Sequence, residues 1–201
     1  MSVQLVIFDL GSVLVNVELQ PLIDQLARDS GRSPEQITQL VGGPIFLEQF
    51  ERGAVSPEQF CEQLKQQLGL SWSFAQFVST WNSVLSEKTD TTWLLPKLRQ
   101  RYRLAVITNI NSLHDAHIRQ TWPVFSHIQH WVASCDVGLR KPDPEIYRLT
   151  LDRASVPAEA AVYVDDVEKH VRSARGLGVT SIHFTRGVQL DQALQEAGLQ
   201  F

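Results

Sequence analysis

A set of side chains with the chemistry of phosphate and metal binding lies at the ends of short apolar runs, with one lysine in the loop motif Arg140-Lys141-Pro142-Asp143-Pro144. They are Asp9, Thr108, Asn109, Lys141, Asp165 and Asp166. Two carboxylates can hold a hard cation such as Mg²⁺, which keeps several waters and binds a substrate phosphate. With a metal and a lysine offsetting charge, a carboxylate can attack a phosphoryl group in line, so that an acyl-phosphate forms and breaks down. The pattern predicts phosphoryl transfer, with Asp9 as the nucleophile.

The apolar runs that precede these side chains are typical of buried parallel strands, because they are short, rich in β-branched residues and not alternating. They are Val3 to Phe8, Leu104 to Thr108, Ala161 to Val164 and Thr180 to Phe184, with a weaker fifth run at Trp131 to Ser134. Helical periodicity separates them at Ser112 to Trp122, Pro144 to Ala154 and Glu168 to Leu177. Alternating strands and helices predict an α/β fold with a doubly wound parallel sheet. Ligands of such sheets bind beyond the carboxyl ends of the strands, where the polar set is expected to converge.

The stretch from Glu18 to Leu85 has only helical patterns, separated by Gly, Ser and Pro. Two helix starts are marked by a serine, a proline at the first helical position and Glu-Gln after it, at Ser33 and Ser56. We therefore predict a hydrolase-like core from residues 1–17 and 86–201, and a helical cap from residues 18–85.

Composition limits the possible partners. A net charge of -4 and a pI near 5.8 give no basic field to hold nucleic acid. No apolar run is long enough to span a membrane. Cys61 and Cys135 lack the spacing of a zinc site or a disulfide framework, which favours a reducing cytoplasm. We expect a small phosphorylated metabolite as the partner, and a monomer or weak homodimer.

Four segments resemble the motifs of the haloacid dehalogenase superfamily in order and spacing. They are FDLGSVLV at 8–15, VITN at 106–109, RKPDPEIY at 140–147 and VYVDD at 162–166. The helical insert is similar to the small cap of one subfamily, and FDLGSVLV with FERGAVS resembles its alpha-D-glucose-1-phosphate phosphatase branch. The resemblance implies a Rossmann-like core, Mg²⁺ as cofactor and a sugar phosphate such as glucose 1-phosphate as substrate.

The resemblance also implies a role for each matched position. Asp9 would be nucleophile and metal ligand, the carbonyl of Gly11 and the carboxylate of Asp166 would complete the protein ligands, and Asp165 would support them. Thr108 and Asn109 would bind the phosphate, and Lys141 would stabilise charge and bind substrate.

The sequence departs from the family pattern at two positions. Gly11 stands where most phosphatases of the family have an aspartate that acts as general acid and base, and losing such a group typically costs on the order of 10² to 10⁴ in rate. His170 stands where Asp or Asn more often braces the metal ligands. Cap residues near the hinge and the Gly42-Gly43-Pro44 break are further candidates for the pocket, although aromatic stripes in such inserts usually form core. These candidates are Asn16, Glu18, Phe46, Glu48 and Arg52.

Other classes use similar residues. A haloacid dehalogenase also attacks with an aspartate but needs no metal, so the paired acids Asp165 and Asp166 favour a phosphatase. A signalling receiver domain has its acidic pair after the first strand, whereas here a lone aspartate comes first. A degenerate protein that binds a phosphorylated ligand without turnover would also carry Gly11 and stays an alternative.

Overall fold

The computed structural model describes residues 2–41 and 44–201, with backbone only for residues 44–47. A parallel sheet with strand order β5-β4-β1-β6-β7 forms its centre, and a two-stranded antiparallel ribbon of β2 and β3 lies outside it. The strands are β1 (Leu5–Phe8), β2 (Val15–Val17), β3 (Leu85–Glu87), β4 (Arg103–Thr108), β5 (His130–Ala133), β6 (Ala161–Asp165) and β7 (Thr180–His183).

The central strands are buried on both faces, which explains why their sequences do not alternate. All residues of β1 and β6 are buried. Val6 and Phe8 of β1 pack into one apolar cluster, and Leu5 and Ile7 pack into a second cluster on the opposite face. Helices cover both faces, so the predicted α/β doubly wound fold is confirmed.

Helices account for most of the remaining chain. Those of the insert are α1 (Gln20–Ser30), α2 (Pro34–Val41), α3 (Pro44–Glu51), α4 (Pro57–Leu68) and α5 (Phe74–Asn82). Those of the core are α6 (Thr89–Thr92), α7 (Leu95–Leu98), α8 (Ser112–Thr121), α9 (Ser134–Val137), α10 (Pro144–Ala154), α11 (Glu168–Gly176) and α12 (Leu190–Glu196). Short 3₁₀ turns occur at Pro123–His127 and Ala158–Ala160. Within the described ranges, no helix is both long and apolar enough to cross a membrane.

The insert α1 to α5 has its own apolar core. Phe50 stacks on Phe60 with ring centroids 4.2 Å apart, and Trp81 meets Phe60 edge-on at 5.0 Å. Ser56 and Gln59 form the reciprocal capping box predicted for the start of α4. The spacing of the aromatic residues in the insert therefore reflects packing of its core. Gly42, Gly43 and the side chain of Phe46, which the sequence marked as pocket candidates or as a break, lie outside the described residues.

Strand boundaries differ slightly from those predicted. β1 begins at Leu5 rather than Val3, and β7 ends at His183 rather than Phe184. The ribbon of β2 and β3 was not predicted, because three-residue strands carry too little periodicity to be recognised. The predicted division of the chain into a core of residues 1–17 and 86–201 and a cap of residues 18–85 stays a prediction. The bounds of helices and strands do not show whether these two parts are separate domains.

Candidate active site

Asp9, Lys141 and Asp165 form a buried charge cluster at the carboxyl edge of the sheet. Asp9 follows β1 and Asp165 ends β6, and these two strands are paired neighbours. The Lys141 Nζ lies 2.8 Å from Asp9 Oδ1 and 2.7 Å from Asp165 Oδ2, and the lysine side chain is 1% exposed. One ammonium thus neutralises part of the charge of two carboxylates at the position where the sequence predicts the nucleophile.

The carboxylate of Asp165 is held in place by several hydrogen-bond donors at once. Its carboxylate accepts hydrogen bonds from the Tyr163 hydroxyl and from the Val167 amide at 2.7 Å. His170 Nδ1 lies 3.1 Å from both carboxylate oxygens, and the carbonyl of His170 accepts a hydrogen bond from Tyr147 at 3.1 Å. These contacts fix the side chain of Asp165 and, through it, the position of the lysine.

Burial and charge shift the two carboxyl groups in opposite directions. Burial raises the pKa of Asp9 to about 6, with Lys141 lowering it and Asp165 raising it further. Burial alone would also raise the pKa of Asp165, but the His170 and Tyr163 hydrogen bonds and the Lys141 ammonium together hold it well below its usual range. Asp165 is therefore a fixed anion, and Asp9 is the carboxylate whose charge is least compensated.

The second strand end supplies the residues predicted to bind phosphate. Thr108 ends β4 and is 3% exposed. Asn109 follows it, donates through Nδ2 to the Lys141 carbonyl at 3.0 Å and accepts from the Lys141 amide at 2.8 Å. The Asn109 side chain thus anchors the backbone that carries the lysine, a role the sequence alone did not indicate.

The two adjacent acids at the end of β6, Asp165 and Asp166, lie in different surroundings. Asp165 is fully buried in the cluster, whereas Asp166 is half-buried and its side chain lines a separate cavity with Ser12, Lys88 and Arg186. Asp9, Asp165 and His170 present donor atoms within 4.8 Å of one another. Asp165 and His170 already bind each other, so they act as supports of the site.

Oxygen donors that suit Mg²⁺ remain at this edge. Asp9 Oδ2 and the carboxylate of Asp166 have no hydrogen-bond partner among the described residues. Hard oxygen ligands of this kind fit an ion that keeps several waters. The described residues bring Asp9 together with Asp165 and His170, whereas Asp166 faces another cavity, so the predicted ligand set of Asp9, Asp166 and the Gly11 carbonyl stays a prediction.

The cap contacts the core through charged side chains near the cluster. Glu51 pairs with Arg140, the neighbour of Lys141, at 2.6 Å. Arg52 pairs with Glu48 at 2.9 Å and donates to the Gly138 carbonyl at 2.9 Å. Glu51 and Arg52 are neighbours in the sequence but do not pair with each other, because each side chain turns to a different partner.

Glu51 is a residue that sequence reasoning did not place at the site, since its partner lies 89 positions away. Asn16 lies in the ribbon and donates to Ser86 Oγ at 3.3 Å. Glu18 is exposed, and its amide donates to the Val84 carbonyl at 2.8 Å. Neither side chain contacts the charge cluster in the described residues.

A cavity of about 270 Å³ lies between the cap and the carboxyl edge of the sheet. Gly11, Thr108 and Asn109 line its core side, and most other lining side chains are apolar. The apolar set is Leu10, Val15, Val17, Leu19, Leu22, Ile23, Val41, Trp81, Val84, Leu85, Ile110 and Ile118. The predicted phosphate binders therefore lie at one end of an apolar chamber.

Comparison with known proteins places these features in a family. The family model described as haloacid dehalogenase-like hydrolase matches residues 6–184. A sesquiterpene phosphatase of Aspergillus oryzae is 30% identical over 186 residues, which cover 89% of this chain and 88% of that protein. A D-ribitol-5-phosphate phosphatase of Bacteroides thetaiotaomicron is 20% identical over 94% of this chain and 95% of its own length.

Solved structures show the same fold. A haloacid dehalogenase family enzyme from Bacteroides thetaiotaomicron, in complex with magnesium and inorganic phosphate, superposes with a TM-score of 0.84 at 24% identity, covering 95% of this chain and 98% of that one. A predicted hydrolase of this type from Porphyromonas gingivalis superposes with a TM-score of 0.85 at 21% identity, covering 100% of both chains. From the matched family model and the relative that spans its length, the chain belongs to the haloacid dehalogenase-like hydrolases.

Proposed function

We propose that the chain is a Mg²⁺-dependent phosphatase that hydrolyses a small phosphomonoester through a covalent phosphate on Asp9. The observation that carries this proposal is the buried Lys141 ammonium, 2.8 Å from Asp9 and held in place by Asp165 at 2.7 Å. The names of two relatives, a sesquiterpene phosphatase and a D-ribitol-5-phosphate phosphatase, support the same reaction class.

The chain's residues divide the work of the reaction. A carboxylate oxygen of Asp9 attacks phosphorus, and the bond from phosphorus to the ester oxygen breaks as that oxygen leaves with its electron pair and takes up a proton. A water then attacks phosphorus, which releases inorganic phosphate and restores the Asp9 carboxylate. Thr108 and the amide of Asn109 hydrogen-bond the phosphoryl oxygens, and Lys141 offsets their negative charge.

Asp9, Asp166 and the Gly11 carbonyl are the residues proposed to hold Mg²⁺. When bound, the ion lowers the repulsion between the carboxylate nucleophile and the phosphoryl oxygens. Burial raises the pKa of Asp9 more than the Lys141 ammonium lowers it, so a further positive charge fits the electrostatics of the site. Asp165 holds the Lys141 ammonium in position and is itself held by His170.

Phosphate release measured with and without Mg²⁺ tests the proposal directly. Suitable substrates are p-nitrophenyl phosphate, alpha-D-glucose 1-phosphate, D-ribitol 5-phosphate and simple alkyl phosphates, with Asp9→Asn as the inactive control. Metal-dependent release that disappears in Asp9→Asn supports the proposal. Absence of release from every substrate, with ligand-induced thermal stabilisation retained, would instead indicate a binding protein. Chloride release from 2-chloropropionate without metal would indicate a dehalogenase.

Gly11 offers a second, sharper test. With glycine at this position, the departing ester oxygen lacks the aspartate that donates a proton in most phosphatases of the family. A Cβ on residue 11 would lie 3.9 Å from Val17 Cγ2, an ordinary contact, so a side chain fits there. We expect Gly11→Asp to raise kcat for alkyl phosphates by on the order of 10² and to change p-nitrophenyl phosphate turnover much less, because nitrophenolate leaves without a proton. Gly11→Asn is the matched control. Equal effects of both variants would show that the carboxyl group supplies no proton.

A further inference from the structure

The cavity at the phosphate end of the site is built for carbon rather than for hydroxyl groups. Apart from Thr108 and the Trp81 indole, its polar lining side chains among the described residues already have partners inside the protein. Asn109 binds the Lys141 backbone through both amide atoms, and Asn111 caps α8 through the His114 amide at 3.0 Å. The Thr38 hydroxyl donates to the Pro34 carbonyl at 2.8 Å. These groups are not free to bind a sugar.

The ionisable lining groups are also compensated. Burial lowers the pKa of His114 to about 4, so its ring is neutral at pH 7, and its Nε2 lies 3.0 Å from the Trp81 carbonyl. Glu51 is neutralised by Arg140 at 2.6 Å. The indole N–H of Trp81 is buried without a partner among the described residues, and it offers a single donor where a hexose presents several hydroxyls. An unpaired hydroxyl in such a chamber costs about 1–3 kcal/mol.

The apolar lining of the cavity extends to its mouth at the protein surface. Val17 is 44% exposed and Leu19 is 51% exposed, and both line the cavity. A single exposed apolar side chain is ordinary, but exposed apolar side chains that line one groove can mark a ligand-binding site, and these two share the cavity with Thr108 and Asn109. A substrate that covers them removes that surface from water.

We infer that the substrate is a phosphomonoester of an apolar alcohol, whose hydrocarbon part fills this cavity while its phosphate lies at Thr108 and Asn109. The inference rests on the proposed phosphatase function and narrows its substrate class. The cavity of about 270 Å³ has room for several carbon atoms of such a substrate before the chain reaches the mouth.

A homologous series gives a quantitative expectation. Burying one methylene contributes about 0.8 kcal/mol, which corresponds to about a fourfold gain in affinity. For n-alkyl phosphates from ethyl to dodecyl we expect kcat/KM to rise about fourfold per methylene and to flatten once the chain reaches the mouth of the cavity. Glucose 1-phosphate and ribitol 5-phosphate should be used far less efficiently than octyl phosphate.

Binding of n-alkylphosphonates separates this inference from the proposed activity, because the phosphorus–carbon bond is not hydrolysed. Calorimetric titration in the presence of Mg²⁺ should show the same dependence of affinity on chain length. If no ester is hydrolysed but phosphonate affinity rises with length, the phosphatase proposal fails and the apolar specificity stands. If esters are hydrolysed but chain length has no effect, or sugar phosphates are preferred, the inference is overturned and the phosphatase proposal stands.

Variants of the lining give a matched comparison. Leu19→Gln and Ile23→Gln place polar groups at the cavity, and Leu149→Gln makes the same change on α10, at a partly buried position away from it. We expect the cavity variants to reduce kcat/KM for octyl phosphate about tenfold more than kcat/KM for ethyl phosphate, whereas Leu149→Gln leaves the ratio of the two unchanged. Equal effects of Leu19→Gln and Leu149→Gln on octyl phosphate would contradict the inference, and Leu19 is exposed enough for its variant to fold.

Discussion

The buried carboxylate of Asp9 should destabilise the protein in the absence of metal, and Asp9→Asn should reveal by how much. Asp9 is 8% exposed, and its carboxylate shares the Lys141 ammonium with Asp165. Asparagine has nearly the same shape and retains an oxygen that can accept the hydrogen bonds of Lys141 and the Leu10 amide. The substitution therefore removes a poorly compensated charge while it keeps most of the packing.

The sign and size follow from the pKa of Asp9. Folding raises this pKa from 3.8 to about 6, so the folded state binds its proton more tightly than the unfolded state does. Such a group contributes most to stability below pH 3.8, and this contribution is lost as the pH rises through 6. A shift of roughly two units corresponds to about 3 kcal/mol. We expect Asp9→Asn to raise the free energy of unfolding by about 1 kcal/mol at pH 4.5 and about 3 kcal/mol at pH 8.

Urea denaturation in EDTA at the two pH values measures this difference, with exposed Asp152→Asn as the control for loss of one carboxylate. Added Mg²⁺ should stabilise the unmodified protein more than Asp9→Asn, because the ion supplies the missing compensation. The reasoning is refuted if Asp9→Asn destabilises the protein at pH 8, or if its effect is the same at both pH values.

Two further predictions concern the supports of the site. Tyr163→Phe removes the buried hydroxyl that donates to Asp165, so urea denaturation should show a loss of about 2 kcal/mol; an unchanged midpoint would show that the hydroxyl does not brace the carboxylate. Gly53 and Gly31 share φ = +68°, but a Cβ on Gly53 would lie 2.2 Å from the Cys135 carbonyl oxygen, whereas Gly31 has open space. Gly31→Ala should therefore cost about 1 kcal/mol of stability for its left-handed backbone alone, and Gly53→Ala clearly more; equal losses would contradict the close contact between cap and core.

The sequence predicted the parallel sheet and the polar residues at its carboxyl edge, because both depend on local patterns. The run Ala161 to Val164 predicts a strand from its composition, and the rule that ligands bind at carboxyl ends then places Asp165 beside Asp9. Lys141 lies in a loop with no periodicity of its own, so no strand end indicated its position, and the prediction depended on its residue type and on the resemblance of its motif. Long, regular elements and recognisable motifs thus carried most of the prediction.

What the sequence could not give depends on contacts between distant residues. Tyr163 appears as one more apolar strand residue until the fold brings its hydroxyl to Asp165. The pairing of Glu51 with Arg140 joins the insert to the core loop, and no local pattern indicates it. The split between buried Asp165 and half-buried Asp166 likewise depends on which way each side chain turns from the strand end.

The ribbon of β2 and β3 has a consequence for how this fold can change over evolution. It pairs Val15 with Glu87 and Asn16 with Ser86, so the chain leaves the core and returns to it at neighbouring points. An insertion whose ends are already held together adds little loop-closure entropy, whatever its length. Exchanging the segment between those ends would leave the acids and the lysine where they are. A lineage could therefore acquire a new specificity by replacing one contiguous stretch of its gene, while the residues proposed to act on the phosphate ester stay unchanged.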